Sequence, residues 1–188
     1  MNILEINSAK NSLLPLLCIC LMKRNIFKFN LNKNDLNTDC LEILKILKQL
    51  NVSYYFIGEY FFINSKNIII KDNIKIKDNN NMRAIYYFYS VLSNSNNKIY
   101  FSKPKGCAIG DRKIDIHLEL LNSFGIKVIE LKEELLIDYT NKLKNIDLNF
   151  TFKKISVGAT INAIYLSLLN QGTIKLMNCS IDPYIINI

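Results

Sequence analysis

With 188 residues, 49% of them hydrophobic, the chain suits one domain with a sizeable core, or one large domain and one very small one. The net charge of +8 favours anionic partners, yet the lysines are scattered rather than gathered into an arm or stripe, which points to an anionic substrate and away from nucleic acid. Five cysteines (Cys18, Cys20, Cys40, Cys107 and Cys179) and a single histidine, His117, show no paired metal-ligand spacing, so no zinc or other metal site, no disulfide framework and no cofactor are expected.

In chain order, residues 1–7 read as the tail of a strand. The apolar run from Ser12 to Met22 is too short to span a bilayer, and Lys23-Arg24 follow it instead of preceding it. No small-residue cleavage site comes after it. It is read as a buried helix over 11–22 in a cytoplasmic protein without membrane contact. A strand over 26–30 follows, then a helix over 39–50 with Leu41, Leu44, Leu47 and Leu50 at three-residue spacing as its buried face. Strands over 53–57 and 60–64 come next, and the polar, Asn-rich stretch 71–81 reads as a surface connection.

A second apolar helix covers 82–92, followed by a strand over 98–102 and a helix over 114–124 that Gly125 closes. Strands over 127–131, 135–138 and 150–154 lead to a third apolar helix over 159–169 and a strand over 173–177. Ser180-Ile181-Asp182-Pro183-Tyr184 reads as the start of one more helix.

The plan recurs. Lys10 and Arg83 are 73 positions apart, Phe27 and Ile99 are 72, and Ile99 and Ile174 are 75. The expected fold is α/β, built from repeated β-α-β-α-β-β units at about 8–81, 82–155 and 156–188, the third incomplete. The first helix of each unit is apolar nearly all round, so these helices belong inside with the sheets outside. A third unit that stops early is expected to leave part of the apolar face of the 159–169 helix uncovered.

The stretch Lys105-Gly106-Cys107-Ala108-Ile109-Gly110-Asp111-Arg112 reads as a loop ahead of a helix. Its glycines let a ligand approach the backbone, and the helix start and the Arg112 guanidinium favour an anion beside the Cys107 thiol. The alternative is an ordinary turn with a small buried cysteine. The other four cysteines read as core.

Gly106-Cys107-Ala108-Ile109-Gly110, Arg112, Ile114-Asp115 and His117-Leu118 closely resemble the catalytic loop of the UDP-N-acetylglucosamine 1-carboxyvinyltransferase (enolpyruvyl-UDP-N-acetylglucosamine synthase) family. Ala9-Lys10-Asn11, Met82-Arg83-Ala84 and Lys154-Ile155-Ser156-Val157-Gly158-Ala159-Thr160 resemble three further segments of that family in the same order. The resemblance runs over essentially the whole chain but about half of the family's usual length. It implies an inside-out enolpyruvyltransferase-like domain, one of the family's two. It also implies transfer of the enolpyruvyl group of phosphoenolpyruvate to the sugar 3′-hydroxyl, the first committed step of peptidoglycan synthesis.

By the resemblance, Cys107 is the proton donor, and Lys10 and Asn11 contact phosphoenolpyruvate. Arg83, Arg112, Lys113, Ile114, Asp115, Ile116, Lys154, Ile155, Ser156 and Val157 belong to the UDP-N-acetylglucosamine site. Read without it, Lys10 is a solvated lysine beside an apolar helix, Asp115 a helix-end charge and His117 a packing residue.

Some positions depart from the family pattern. Asn7-Ser8-Ala9-Lys10-Asn11 replaces Ser-Gly-Ala-Lys-Asn, Lys105 replaces the first glycine before the cysteine, Lys113 replaces a proline, and Asp182-Pro183-Tyr184 replaces Glu-Pro-Glu. The family's acidic base and remaining substrate-binding cations lie on its second domain, so a second-domain chain is the expected partner. The competing readings are an inactive folded remnant, an anion-binding domain, and the shikimate-pathway enolpyruvyltransferase. Cys107 and Asn11 count against the last.

Overall fold

The structure, a computed structural model, describes residues 3–4, 10–77, 83–103 and 114–186. The first run of elements is β1 (Ile3–Leu4), α1 (Lys10–Ile19), β2 (Ile26–Asn30), α2 (Thr38–Gln49), β3 (Ser53–Ile57) and β4 (Tyr60–Asn64). The second is β5 (Ile74–Ile76), α3 (Tyr86–Val91), β6 (Lys98–Ser102), α4 (Asp115–Ser123), β7 (Lys127–Glu130) and β8 (Glu134–Asp138). The third is β9 (Leu148–Thr151), α5 (Val157–Leu168), β10 (Ile174–Met177) and α6 (Pro183–Ile186).

The sheets repeat this plan. β2 pairs in parallel with β1 and antiparallel with β4, whose far side holds β3; β6 is flanked in the same way by β5 and β8, with β7 outermost. Strand alternation turns one side of each pair inward: Phe29 lies opposite Phe61, Ile99 opposite Ile137 and Phe101 opposite Leu135, all six buried. β9 and β10 form a parallel pair.

Between the sheets lie α1, α3 and α5. Leu13, Leu17, Phe88, Ile161 and Tyr165 are fully buried, and each such side chain contributes roughly 1.5–3 kcal/mol by leaving water. A buried phenol needs a partner, and two of them cross-link distant elements. The Tyr165 hydroxyl donates to the Pro15 carbonyl at 2.8 Å, tying α5 to α1, and Tyr139 donates to the Tyr89 carbonyl at 2.8 Å. No helix among the described residues is long and apolar enough to cross a membrane. The α/β architecture, helices inside and sheets outside, is the one expected.

Two local readings need correction. β5 lies inside the stretch read as a surface connection. Its three residues are held from outside: Asp72 Oδ1 accepts from the Lys98 amide at 2.8 Å, and the Asn73 amide donates to the Lys98 carbonyl at 2.7 Å. On α2, Leu41 is 46% exposed while Cys40, Ile43, Leu44, Ile46 and Leu47 are buried. At about 100° per residue, Leu41 and Leu50 fall on opposite sides of a helix, so three-residue spacing drifts off the buried face. On α5, Leu168 is 61% exposed, while on β10 Met177 is 36% exposed and Ile174 and Leu176 are half-buried.

Lys142 is the one lysine buried among the described residues. Its ammonium donates to Asn94 Oδ1 at 2.7 Å and to the Leu169 carbonyl at 3.2 Å, bracing the turn after α3 against the end of α5. Burial, then the neighbouring Lys144 charge, pulls its pKa from 10.5 down to about 8. The unfolded chain therefore keeps this proton over a pH range in which the folded chain has lost it. Stability rises with pH between about 8 and about 10.5 from this group. Lys142→Met is expected to flatten that rise relative to the native chain, which thermal midpoints of both proteins across the window will measure.

Candidate functional site

The lead-in to α5 illustrates how sequence sets a helix start. Ser156 is the N-cap: its Oγ accepts from the Ala159 amide at 3.3 Å, and its carbonyl accepts from the Thr160 amide and the Thr160 hydroxyl. The amides of Val157 and Gly158 are beyond reach of any carbonyl of the same helix. Lys154 and Ile155 are exposed just ahead, Ile155 by 66% despite being apolar.

Asp115 opens α4 on its exposed side, with Ile114 and Ile116 half-buried to either side. Lys153 Nζ reaches Glu119 Oε1 at 3.0 Å, an exposed ion pair worth little in itself that spans from the α5 lead-in to α4.

The starts of α3, α4 and α5 meet in one buried junction. The Tyr86 ring stacks on His117 with centroids 4.4 Å apart and meets Tyr87 edge-on at 4.7 Å. Asn162 Nδ2 lies 3.0 Å from His117 Nδ1 and donates to the Gly158 carbonyl at 3.2 Å. The Tyr86 ring lies directly over Gly158, where an added Cβ would sit 2.7–2.8 Å from its atoms. Gly158 is therefore required by packing, and His117 is the packing residue that the sequence suggested.

The expected site residues are distributed as follows. Ile114, Asp115 and Ile116 at α4, and Lys154, Ile155, Ser156 and Val157 at α5, flank the two helix starts that the junction holds together. Arg83 begins the short 3-10 turn that leads into α3, and Lys10 and Asn11 are the first two residues of α1. Cys107, Arg112 and Lys113 lie outside the described residues. Tyr86 and Asn162 were not singled out from sequence. Asn162 had a signal, as an amide side chain within a largely apolar helix.

Of the remaining thiols, Cys18, Cys20 and Cys40 are buried, and burial pushes the Cys18 and Cys20 thiols well up. Cys179 is only half-buried, contrary to the core reading, though desolvation raises its thiol too.

The sequence profile of the EPSP synthase (3-phosphoshikimate 1-carboxyvinyltransferase) family matches residues 2–187. Proteins named UDP-N-acetylglucosamine 1-carboxyvinyltransferase are similar along nearly the whole chain. That of Orientia tsutsugamushi (strain Boryong) is 31% identical over 97% of this chain and 42% of its own length. That of Rickettsia conorii (strain ATCC VR-613 / Malish 7) is 31% identical over 99% and 44%. The chain thus spans about two fifths of the length of the curated relatives it matches. Among solved structures, the enolpyruvyl transferase NikO from Streptomyces tendae superposes with a TM-score of 0.75 at 11% identity, over 100% of this chain and 43% of that one. EPSP synthase from Acinetobacter baumannii gives 0.70 at 11%, over 98% and 42%.

Gly158→Ala is expected to destabilise the chain by about 1–3 kcal/mol, since the Tyr86 ring, stacked on His117, must shift to admit the added Cβ. Denaturant unfolding will measure it. Tyr86→Leu in the same background should recover part of the loss, so the two substitutions will be non-additive.

Proposed function

This chain belongs to the EPSP synthase (3-phosphoshikimate 1-carboxyvinyltransferase) family, and we propose that it serves the branch acting on UDP-N-acetylglucosamine, as part of a cytoplasmic enzyme of peptidoglycan synthesis. The observation that carries this reading is the match to relatives of that name along 97% of the chain, through every segment to which a role is assigned. Asn11 and Cys107 belong to that branch by resemblance, and neither is expected of the shikimate branch.

In this reading the reaction is an addition followed by an elimination. The base that the reading assigns to the second domain takes the sugar 3′-hydroxyl proton as that oxygen bonds to the central carbon of phosphoenolpyruvate, while the Cys107 thiol gives its proton to the methylene carbon. Phosphate then leaves as a methyl proton is taken back. Lys105, Arg112 and the start of α4 ease loss of the thiol proton. Lys10 supplies a point charge to the phosphate and Asn11 a neutral donor. Arg83, Arg112 and Lys113, with Ile114–Ile116, and the Lys154–Val157 lead-in hold the nucleotide sugar. There the Val157 and Gly158 amides serve its oxygens, and the Tyr86–His117–Asn162 junction fixes the spacing between the α4 and α5 sides. Ser156 Oγ, already accepting as the helix cap, contributes by donating its hydroxyl proton.

The relatives are more than twice as long as the matched region. The reading assigns the acidic base and the remaining cations to a second domain outside these 188 residues. Displacing a reacting group by about 1 Å can cost 100-fold, and an open cleft weakens every charge contact, so half a cleft is expected to bind without turning over.

The 188-residue chain alone is expected to bind UDP-N-acetylglucosamine weakly, with affinity that falls as salt rises, by calorimetry. It should release no phosphate from phosphoenolpyruvate and UDP-N-acetylglucosamine until a second-domain polypeptide is added. Cys107→Ala should then lower that rate by about 10²–10⁴-fold. Full turnover by the chain alone would sink the half-enzyme reading. Silence in both mixtures, with both pieces folded, would assign the chain to an inactive anion-binding remnant, and turnover with shikimate 3-phosphate instead would assign it to the shikimate branch.

On native protein, a small alkylating agent should mark Cys107 first and spare Cys18, Cys20 and Cys40. Even labelling of all five, mapped by mass spectrometry, would remove the basis for a special thiol.

A further inference from the structure

The three buried helices also end together. Met22, Asn94 and Leu169 come just after the ends of α1, α3 and α5, and they stand 72 and 75 positions apart, as Phe27, Ile99 and Ile174 do. All three line one cavity of about 190 Å³, which therefore lies where the three units meet. A cavity of about 150 Å³ is enough to hold a benzene ring. α5 has 12 residues, so this end lies about 18 Å from the helix start beside Lys154–Val157.

The lining is mixed. Ile68, Val91 and Leu92 supply apolar wall, and all three are buried. Helix carbonyl ends disfavour an anion, but here the Lys142 ammonium, 3.2 Å from the Leu169 carbonyl and 2.7 Å from Asn94 Oδ1, sets a positive charge against the end of α5. Exposed Arg24 adds a guanidinium to the lining and has no ion pair among the described residues. It is the one arginine of three to which the catalytic reading gives no role. Ser95 lines the cavity as well, and its Oγ, shielded from solvent, meets no hydrogen-bond partner among the described residues. A forked cation and an unused hydroxyl beside an apolar wall suit one class of ligand.

We propose that this cavity binds a compact carboxylate with an apolar body, at a site separate from the one at the helix starts. The Arg24 guanidinium takes the carboxylate, the Ser95 hydroxyl donates to one of its oxygens, and a body the size of one aromatic ring rests against Ile68, Val91 and Leu92. Such a ligand touches the first unit through Arg24 and Ile68 and the second through Val91, Leu92 and Ser95, so it ties the two units together at the end away from the candidate site. Binding to the folded chain alone also stabilises it by mass action. The inference stands on the cavity and the repeat and not on the catalytic reading.

The test uses the full 188-residue chain with benzoate as the probe, followed by amide NMR. Benzoate is expected to shift the Leu92, Ser95 and Leu169 amides along one saturating curve, with a dissociation constant of about 1 mM, and to leave Val157 and Gly158 in place. Acetate, which lacks the apolar body, and benzyl alcohol, which lacks the charge, should each bind about tenfold more weakly or worse. Arg24→Met, at an exposed position, should weaken benzoate by about tenfold or more and leave benzyl alcohol unchanged. The absence of a saturating shift at those three amides would overturn the proposal. Acetate binding as tightly as benzoate would reduce the site to a surface charge, and benzyl alcohol doing so would reduce it to an apolar hollow. Benzoate affinity untouched by Arg24→Met, or shifts at Val157 and Gly158 that follow the same curve, would overturn it as well.

Discussion

A helix with no polar face must be enclosed on every side, and this chain has to enclose three. α1, α3 and α5 bury leucines, isoleucines and aromatic rings together with a few polar groups, and some of those groups reach partners inside the core. Tyr165 does this by reaching the Pro15 carbonyl 150 positions away, and Asn162 by bonding both Gly158 and His117. The sheets then have one task, to cover the helices with the inward side of each strand, and the repeat follows because each helix needs the same cover.

The same constraint brings the candidate site together. Residues beside separate helix starts act together only if those starts are held at fixed spacing. The stacked Tyr86 and His117 rings, wedged over Gly158, hold the starts of α3, α4 and α5 without occupying the outer surface where Asp115, Lys154 and Ile155 lie.

Much of this was legible in the residues. Strands β2, β3, β4 and β6 fall where alternation and turn residues put them, and the buried helices follow from apolar runs too short for a membrane. The 72- to 75-residue spacing announced the repeated sheets. Where the reading slipped, the cause was an interaction across space. β5 is a strand because Asp72 and Asn73 bind the backbone at Lys98, which nothing local to Ile74–Ile76 reveals. α2 turns Leu41 outward because the face it buries is set by its neighbours, while an equally spaced leucine row winds around the helix.

By itself, the sequence determined the kind of element at most places, the repeat, and the chemical groups offered at the candidate site, because each of these depends on residues close in the chain. Only the tertiary structure decided which helix starts meet, why position 158 must be glycine, that Ile155 stands outside the core, and that a cavity lies where the three units meet. Those depend on groups from separate units arriving in the same few ångströms, and a spacing along the chain carries no record of that approach.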